Sequence, residues 1–207
     1  MKVLLVNGSP HEKGCTYTAL CVAAKELEAN GIDTEIVWVG NKSISGCVGC
    51  GACAKGLGKC VIDDGVNDFV AKARNADGFI FGTPVHFAAA SGHITAFMDR
   101  AFYSGKSAFV GKPAASVVSC RRGGASAAFD QMNKYYTISS MPVVSSQYWN
   151  QVHGSTPEQV MQDEEGVQTV RILAKNMSWL LKCIELGKEN EIFFPEPEKP
   201  TRTNFIR

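Results

Sequence analysis

The sequence has no long apolar run and no excess of charge of either sign. Its 21 Lys and Arg residues are matched by 20 Asp and Glu, for a formal net charge of +1 over 207 residues. Nucleic acids and anionic membranes select clustered positive charge, so we expect neither as a partner. No apolar stretch approaches the roughly 20 residues of a membrane-spanning helix, and the run after Lys2 is too short for a signal peptide. We therefore expect a cytoplasmic protein.

The sequence also lacks the two best-known glycine fingerprints for phosphate. It has no G-x-G-x-x-G, and Gly14 is followed by Cys15 where a P-loop has Lys. A dinucleotide-binding or P-loop ATPase function is therefore disfavoured. A small-residue turn that starts at Gly8 separates an apolar run from an amphipathic stretch. A helix N-terminus there presents unpaired N–H groups, so we expect the phosphate of a mononucleotide at this turn. The hydroxyl donors available to it are Ser9, Thr16 and Thr18.

Apolar runs alternate with stretches of helical periodicity, which predicts an α/β fold. The predicted strands are Val3–Val6, Glu35–Val39, Phe79–Phe81, Ala114–Val118 and Pro142–Val144. The predicted helices are Thr16–Asn30, Asn67–Ala76, Ile94–Phe102, Ala125–Tyr136 and Glu164–Leu186. Strict alternation implies a parallel sheet with helices on both faces. Five strands with a mononucleotide loop after the first match the flavodoxin-like, doubly wound order 2-1-3-4-5, whose ligand crevice lies at the carboxyl ends of the strands.

Two further loops follow predicted strands at the same edge. The segment 82–87 (Gly-Thr-Pro-Val-His-Phe) follows the third strand, and 119–124 (Ser-Cys-Arg-Arg-Gly-Gly) follows the fourth. Proline and glycine hold such backbone in an open shape, and His86 or Phe87 can lie against a flat ring. A cation such as Arg122 would stabilise negative charge on a reduced ring. Both loops therefore suit a flat, electron-accepting cofactor.

Eight cysteines are many for a chain expected to be intracellular, and half of them fall in one loop. Cys47, Cys50, Cys53 and Cys60 follow the second strand with the spacing C-x2-C-x2-C-x6-C. Three closely spaced thiolates and a fourth from a following turn suit a [4Fe–4S] cluster, whereas zinc usually takes two separated C-x2-C pairs. A native cluster and a loop that is reduced, disulfide-linked or empty remain alternatives at this point. We interpret the other four as core or loop thiols, with the first of them near the phosphate: Cys15, Cys21, Cys120 and Cys183.

Three motifs resemble those of the flavodoxin-like NAD(P)H-dependent FMN reductases. The first turn has the form G-S-P-x-x-x-G-x-T, the segment G-T-P-V-H-F is similar to the family's strand-3 segment, and R-G-G is similar to its strand-4 loop. The family typically has Arg, Asn and Tyr where this chain has His11, Cys15 and His86. The resemblance implies FMN as cofactor and NAD(P)H as co-substrate. The FMN-binding residues it implies are Ser9, His11, Gly14, Cys15, Thr16, Thr18, Thr83, Pro84, Val85, His86, Phe87, Arg122, Gly123 and Gly124.

The cysteine spacing resembles that of the iron-sulfur flavoproteins, a branch of the same superfamily. This implies Cys47, Cys50, Cys53 and Cys60 as ligands of a [4Fe–4S] cluster that exchanges electrons with a ferredoxin-type partner. Similar cysteines followed by Asp-Asp, as Asp63-Asp64 here, also occur in relatives that look like plain FMN reductases. We therefore expect an enzyme that passes electrons from NAD(P)H to a flavin, quinone or similar acceptor, and the alternative is an electron carrier with FMN and a cluster. A regulatory flavin-binding module is a third hypothesis.

Little in the sequence points to a protein acid or base. His86 and His153 are the proton-donor candidates, and Tyr148 and Trp149 are placed to stack on a ligand. For His153, a structural role in a loop or an interface is the alternative to catalysis.

The predicted organisation is one domain followed by a tail. We assign residues 1–190 to a flavodoxin-like FMN-binding domain, with a cysteine-rich loop at 46–62. The segment 191–207 has too many prolines for a further helix. The resemblance implies a homodimer or homotetramer, and we hypothesise that the tail is an arm that packs across a neighbouring subunit.

Overall fold

The structure is a computed structural model that describes residues 1–40, 43–201 and 203–205. Its strands are β1 (Lys2–Asn7), β2 (Asp33–Trp38), β3 (Gly78–His86), β4 (Ala89–Ala90), β5 (Ala114–Cys120) and β6 (Gln151–His153). Its α-helices are α1 (Cys15–Ala29), α2 (Val66–Arg74), α3 (Gly92–Ser104), α4 (Ala125–Ile138), α5 (Pro157–Gln162) and α6 (Glu164–Glu189). A single π-helical turn at Cys53–Leu57 and a 3-10 turn at Lys106–Ala108 complete the regular elements.

Five parallel strands form the central sheet in the order β2-β1-β3-β5-β6, and the short β4 pairs antiparallel with the end of β3. Counted alone, the five parallel strands have the predicted order. Successive side chains of a strand point to opposite faces, so β1 contributes to two cores. Leu4 and Val6 pack with α2, α3 and α4, whereas Val3 and Leu5 pack with α1 and α6. The sheet is therefore covered by helices on both faces, as predicted.

The fifth strand was predicted at the wrong place. The edge strand is Gln151–His153, and Pro142–Val144 makes only an isolated bridge between Val143 and Ala114. Pro142 has no N–H to donate to a strand ladder, and pairing with β5 resumes only at Asn150, whose carbonyl accepts the N–H of Val118 at 2.9 Å. A three-residue strand also carries too little apolar pattern to be detected in a sequence.

The third strand is longer than the predicted strand Phe79–Phe81. It runs to His86, so the segment 82–86 that was predicted as a loop is the end of a strand. The loop itself is the two-residue turn Phe87-Ala88 before β4. The helix α5 was not predicted, although its start has a clear signal: Thr156 accepts the N–H of Gln159, and proline follows as the first helical residue.

The tail after α6 has no helix or strand at residues 191–201 and 203–205. The ring of Phe194 lies against Gly111, while Phe193 is largely exposed. The division at residue 190 and the role of the tail stay predictions, and its residues 202, 206 and 207 lie outside the described part of the chain. No helix in that part is both long and apolar enough to span a membrane.

Candidate functional site

The turn after β1 lies directly against the end of β3. The N–H of Gly8 donates to the carbonyl of Gly82 at 2.9 Å. A Cβ on Gly8 would come within 2.8 Å of that oxygen and 2.7 Å of Ile94 Cβ, so only glycine fits. A Cβ on Gly82 would meet Thr16 Cγ2 at 2.7 Å. The two glycines therefore allow α1 to begin close to the carboxyl edge of the sheet.

Side chains at the ends of β1 and β2 hold this turn in shape. The buried Asn7 accepts the N–H of Ser9 at 3.1 Å and donates to the carbonyl of Glu12 at 2.9 Å. Trp38 donates from Nε1 to the carbonyl of Ser9 at 2.9 Å. Neither Asn7 nor Trp38 was predicted from the sequence, although a polar residue that ends an apolar strand is a usable signal.

The first turn of α1 is suited to an anion. Gly14 precedes the helix without a capping side chain, and no acidic residue lies in the first turn. The N–H groups of that turn have no carbonyl partner within the helix, and they carry the positive end of its dipole. A cleft of about 530 Å³ lies between residues 10–15 and 155–157. A phosphate in this cleft would meet the exposed helix end.

The three hydroxyls predicted for the phosphate have different surroundings. Ser9 is buried in the turn, where Oγ accepts the N–H of His11 at 3.1 Å and keeps its own proton to donate. Thr16 is 1 % exposed, and its Oγ1 lies 2.7 Å from Ser119 Oγ. The Thr16 hydroxyl thus joins α1 to β5, which leaves its first-turn N–H for a phosphate. Thr18 donates from Oγ1 to the carbonyl of Gly14 at 3.1 Å.

The hairpin of β3 and β4 forms the next wall of the crevice. Phe87 and Ala88 at its turn have φ values of 50° and 60°, a conformation that costs a non-glycine residue roughly 1–2 kcal/mol. The turn presents the whole side chain of Phe87 to solvent, beside the exposed His86. Thr83 is fully buried, and its Oγ1 accepts the N–H of Ser91 at 3.1 Å. The Thr83 side chain therefore supports the hairpin from below.

The loop after β5 packs on this hairpin. Gly124 has a φ of 90°, and a Cβ there would lie 2.6 Å from Ala88 Cα and 2.9 Å from Val85 Cγ1. Gly123 has open space at the same position, and Arg122 is exposed. The structure thus brings the three predicted segments, 8–18, 83–87 and 122–124, to one edge of the sheet.

The edge strand β6 adds a histidine and a carboxylate. Asp163, the N-cap of α6, accepts the backbone N–H of His153 at 2.7 Å, and its Oδ2 lies 3.3 Å from the ring Nδ1. Tyr148 and Trp149 are half exposed, with ring centroids 4.9 Å apart, and line a small pocket with His153. Asp163 thus holds both the backbone and the ring of His153, while its Oδ1 accepts the N–H of Gly166 at the start of α6.

Two thiols also lie at this edge. Cys15 Sγ is 3.6 Å from the carbonyl of Gly154, and burial raises the pKa of this thiol despite the opposing effect of its own N–H. Burial likewise raises the pKa of Cys120, which pairs with His153 across the sheet. Both thiols therefore stay protonated near neutral pH, as befits core or loop cysteines.

The four clustered cysteines line one cavity. Arg100 and Tyr103 of α3 contribute to its wall, and the cysteines are Cys47, Cys50, Cys53 and Cys60. The chain between them turns through glycines in the left-handed region, with φ between 65° and 116° at positions 49, 51, 56 and 58. All four thiols are free of disulfide bonds.

Two helices fix the last of these cysteines. The N–H of Cys60 donates to Asn67 Oδ1 and its carbonyl accepts from Asn67 Nδ2, both at 2.9 Å. Arg100, which is 1 % exposed, donates from Nε to Cys60 Sγ at 3.3 Å and pairs with Asp64. Desolvation acts to raise the pKa of Asp64, but hydrogen bonds from Arg100 and the Ser45 N–H outweigh it and hold that pKa below its ordinary value.

Known proteins match the chain along most of its length. Residues 1–155 match the family model described as NADPH-dependent FMN reductase. The chain belongs to this family. It is 31 % identical over 195 residues to an iron-sulfur flavoprotein of Methanocaldococcus jannaschii, which covers 89 % of this chain and 100 % of that protein. It is 30 % identical over 194 residues to an iron-sulfur flavoprotein of Methanosarcina thermophila, which covers 91 % and 100 % of the two chains.

A solved structure shows the same fold as this FMN reductase family member. The crystal structure of RosB with bound 8-demethyl-8-formylriboflavin-5'-phosphate aligns with a TM-score of 0.69 at 14 % identity, and the match covers 100 % of this chain and 92 % of that one. The fold is therefore flavodoxin-like, and the chain is one of a family of FMN-binding reductases.

The crevice of this FMN reductase family member fits the parts of FMN. The uncapped end of α1 suits the phosphate, and the open space at Gly123 allows a ring edge to approach the backbone. The exposed Phe87 offers an aromatic face beside them. His11 and Cys15, which replace the Arg and Asn typical of the family, both lie at the phosphate cleft.

The cysteine cavity is small, at about 20 Å³, and its four thiols are the type of donor that iron-sulfur clusters take. Among the described residues, no three His, Cys, Asp or Glu side chains are close enough to share one metal ion. A [4Fe–4S] cluster gives each thiolate its own iron, so its ligands lie further apart than those of a zinc ion. A buried guanidinium that donates to one sulfur also suits an anionic cluster.

Proposed function

We propose that the protein is an iron-sulfur flavoprotein that exchanges electrons between FMN, a [4Fe–4S] cluster at Cys47, Cys50, Cys53 and Cys60, and a ferredoxin-type partner. The observation that carries this proposal is that all four cysteines line one cavity, with the last held by side chains of α2 and α3. These contacts would give a bound cluster one preset ligand, Cys60. Relatives named iron-sulfur flavoprotein match over their whole length and support the proposal.

The helix α3 connects the two sites. Ser91, its N-cap, donates from Oγ to the carbonyl of Gly8 in the phosphate turn at 3.2 Å. Arg100, nine residues later and about 14 Å further along the helix axis at 1.5 Å per residue, donates to Cys60. One rigid element therefore sets the position of the phosphate turn relative to the cysteine loop.

In this function the protein would position FMN and the cluster and stabilise the negative charge that they gain on reduction. When bound, FMN and the cluster supply the exchange of an electron pair for single electrons. The uncapped end of α1 would hold the phosphate, and Phe87 would shield one side of the ring. Arg122 would stabilise negative charge near the loop after β5. His153, oriented by Asp163, would hold or release a proton at its ring nitrogen.

Reduction of a flavin, quinone or similar acceptor by NAD(P)H is a second candidate function. The observation that favours it is the open crevice with a fully exposed Phe87, because a nicotinamide and an acceptor can occupy one open face in turn. The family description names NADPH as the reductant. This function needs no cluster.

Substitution of a cysteine tests the proposed ligand set. Cys50→Ser should retain FMN but lose iron and acid-labile sulfide, measured per flavin after anaerobic purification. Cys183→Ser is the matched control, because that thiol is exposed on α6 and away from the loop. Iron and sulfide retained in Cys50→Ser at the control level would contradict the ligand assignment.

The electron donor separates the two candidate functions. Stopped-flow absorbance should show fast flavin reduction by a reduced ferredoxin and slow reduction by NADH and NADPH if the carrier function is correct. Fast turnover with NADPH and a quinone, unaffected by Cys50→Ser, would favour the reductase instead.

A further inference from the structure

Arg100 makes more contacts with the cysteine loop than an ion pair requires. Its Nη1 donates to Asp64 and to the carbonyl of Ser45, the latter at 3.2 Å, and its Nη2 donates to the carbonyl of Ile62 at 2.8 Å. Ser45 precedes the first cysteine and Ile62 follows the last. One buried guanidinium therefore joins the two ends of the loop and closes its base.

A fourth donor of Arg100 is directed at a cysteine. The Nε–H donates to Cys60 Sγ at 3.3 Å, while Asn67 holds the backbone of the same residue on both sides. Cys60 is thus fixed at its main chain and at its sulfur. The segment from Gly51 to Gly58 is held instead by local turn hydrogen bonds, and Cys47 and Cys50 are exposed. The four candidate ligands are therefore unequal, and only one carries a charged donor in the described contacts.

We propose that Arg100 is a positioning residue that sets the reduction potential of the cluster through Cys60, an inference that rests on the proposed function. Reduction adds one electron to an anionic cluster and moves no proton at Arg100. A positive charge and an N–H···S hydrogen bond both stabilise the added negative charge, so they raise the potential. Asp64 partly offsets the guanidinium, because its carboxylate lies against the same group. The Arg100–Asp64 pair therefore balances the charge near one ligand.

Two substitutions at this pair should shift the potential in opposite directions. Arg100→Gln removes the positive charge and should disfavour the reduced cluster about tenfold, which is about 59 mV for a one-electron couple. Asp64→Asn leaves the guanidinium uncompensated and should favour the reduced cluster by a similar factor. The readout is a dye-mediated redox titration of the anaerobic holoprotein, followed by electron paramagnetic resonance. Arg74→Gln on α2 is the matched control and should leave the potential unchanged, because that side chain is exposed and screened.

A purely structural clamp would behave differently. Such a clamp would lower the iron content of both variants and leave the potential of the retained cluster unchanged. Alternatively, both variants would shift the potential in the same direction. Either result overturns the inference. If Arg100→Gln holds no iron, Asp64→Asn decides alone: a raised potential supports the inference, and an unchanged or lowered one overturns it. Wild-type protein with FMN and no iron would contradict the proposed function itself, whereas a normal iron content with unshifted variants contradicts only this inference.

Discussion

Ser9 is the side chain through which the phosphate turn should contribute most to FMN affinity. Its hydroxyl proton is available in the turn, and a charge-assisted hydrogen bond contributes roughly 1.5–3 kcal/mol. We expect Ser9→Ala to weaken FMN binding at least tenfold in a fluorescence titration of the apoprotein. Riboflavin lacks the phosphate, so its affinity should not change. An equal effect on both ligands, or none on FMN, would contradict the assignment.

Thr16→Val should behave differently from Ser9→Ala. The Thr16 hydroxyl contacts Ser119, so we expect a loss of about 1 kcal/mol in the free energy of unfolding and little change in FMN affinity. Urea denaturation and the same FMN titration test both statements. A strong loss of FMN affinity with no loss of stability would contradict this expectation. It would support the prediction from the sequence that the Thr16 hydroxyl binds the phosphate.

The Arg100–Asp64 pair should make the cysteine loop sensitive to acid. The pKa of Asp64 is lower in the folded protein than in the unfolded chain, where it is about 3.9. Its contribution to stability is therefore present above that pH and is lost as the pH falls through the folded-state pKa. We expect the wild type to lose more stability than Asp64→Asn between pH 6 and acid, measured by urea unfolding. Parallel losses in the two proteins would contradict this role.

The burial of Arg100 could not be predicted from the sequence. Arg100 lies outside the apolar stripe of its helix, so periodicity alone places it in solvent. Its partners Asp64 and Cys60 lie far away in sequence and meet it only because the cysteine loop folds over α3. The four cysteines, in contrast, were predicted as a group because their spacing is local.

The two glycines of the loop after β5 offer a matched test of how this loop packs on the hairpin of β3 and β4. Gly124→Ala should lower the free energy of unfolding by roughly 1–3 kcal/mol and weaken FMN binding, because a Cβ at its φ of 90° would collide with the hairpin backbone. Gly123→Ala has open space and should change stability by less than about 0.5 kcal/mol. Urea denaturation of both variants checks the difference. Equal effects would contradict the contact between this loop and the hairpin.

Most elements were predictable because each carries several apolar residues at one period. The helices α1, α2, α3 and α6 and the first four parallel strands are of this kind. The prediction of the edge strand was wrong because Gln151–His153 contains only one buried apolar residue, whereas Pro142–Val144 has the apolar pattern of a strand. The hairpin at Phe87 was not predicted because proline has a low propensity for strands, so a strand that continues through Pro84 is not expected. Tertiary pairing with β5 overrides that propensity.

The exposed tail bears on the assembly of the whole molecule. Its Ile192, Phe193 and Phe205 are largely exposed, which leaves apolar surface for a second copy of the chain. We expect truncation after Lys188 to dissociate a homodimer or homotetramer, measured by sedimentation equilibrium of the FMN-bound protein. An unchanged oligomer with normal FMN content would contradict the proposed arm.

The proposed function requires that one chain holds both FMN and a cluster. The most direct test is the visible spectrum of the anaerobically purified wild type, recorded with its iron, acid-labile sulfide and FMN contents. We predict flavin bands over a broad shoulder, with about four iron and four sulfide per FMN. A resolved flavin spectrum without iron, even after anaerobic reconstitution, would contradict the iron-sulfur function and leave an FMN reductase with an unoccupied cysteine loop.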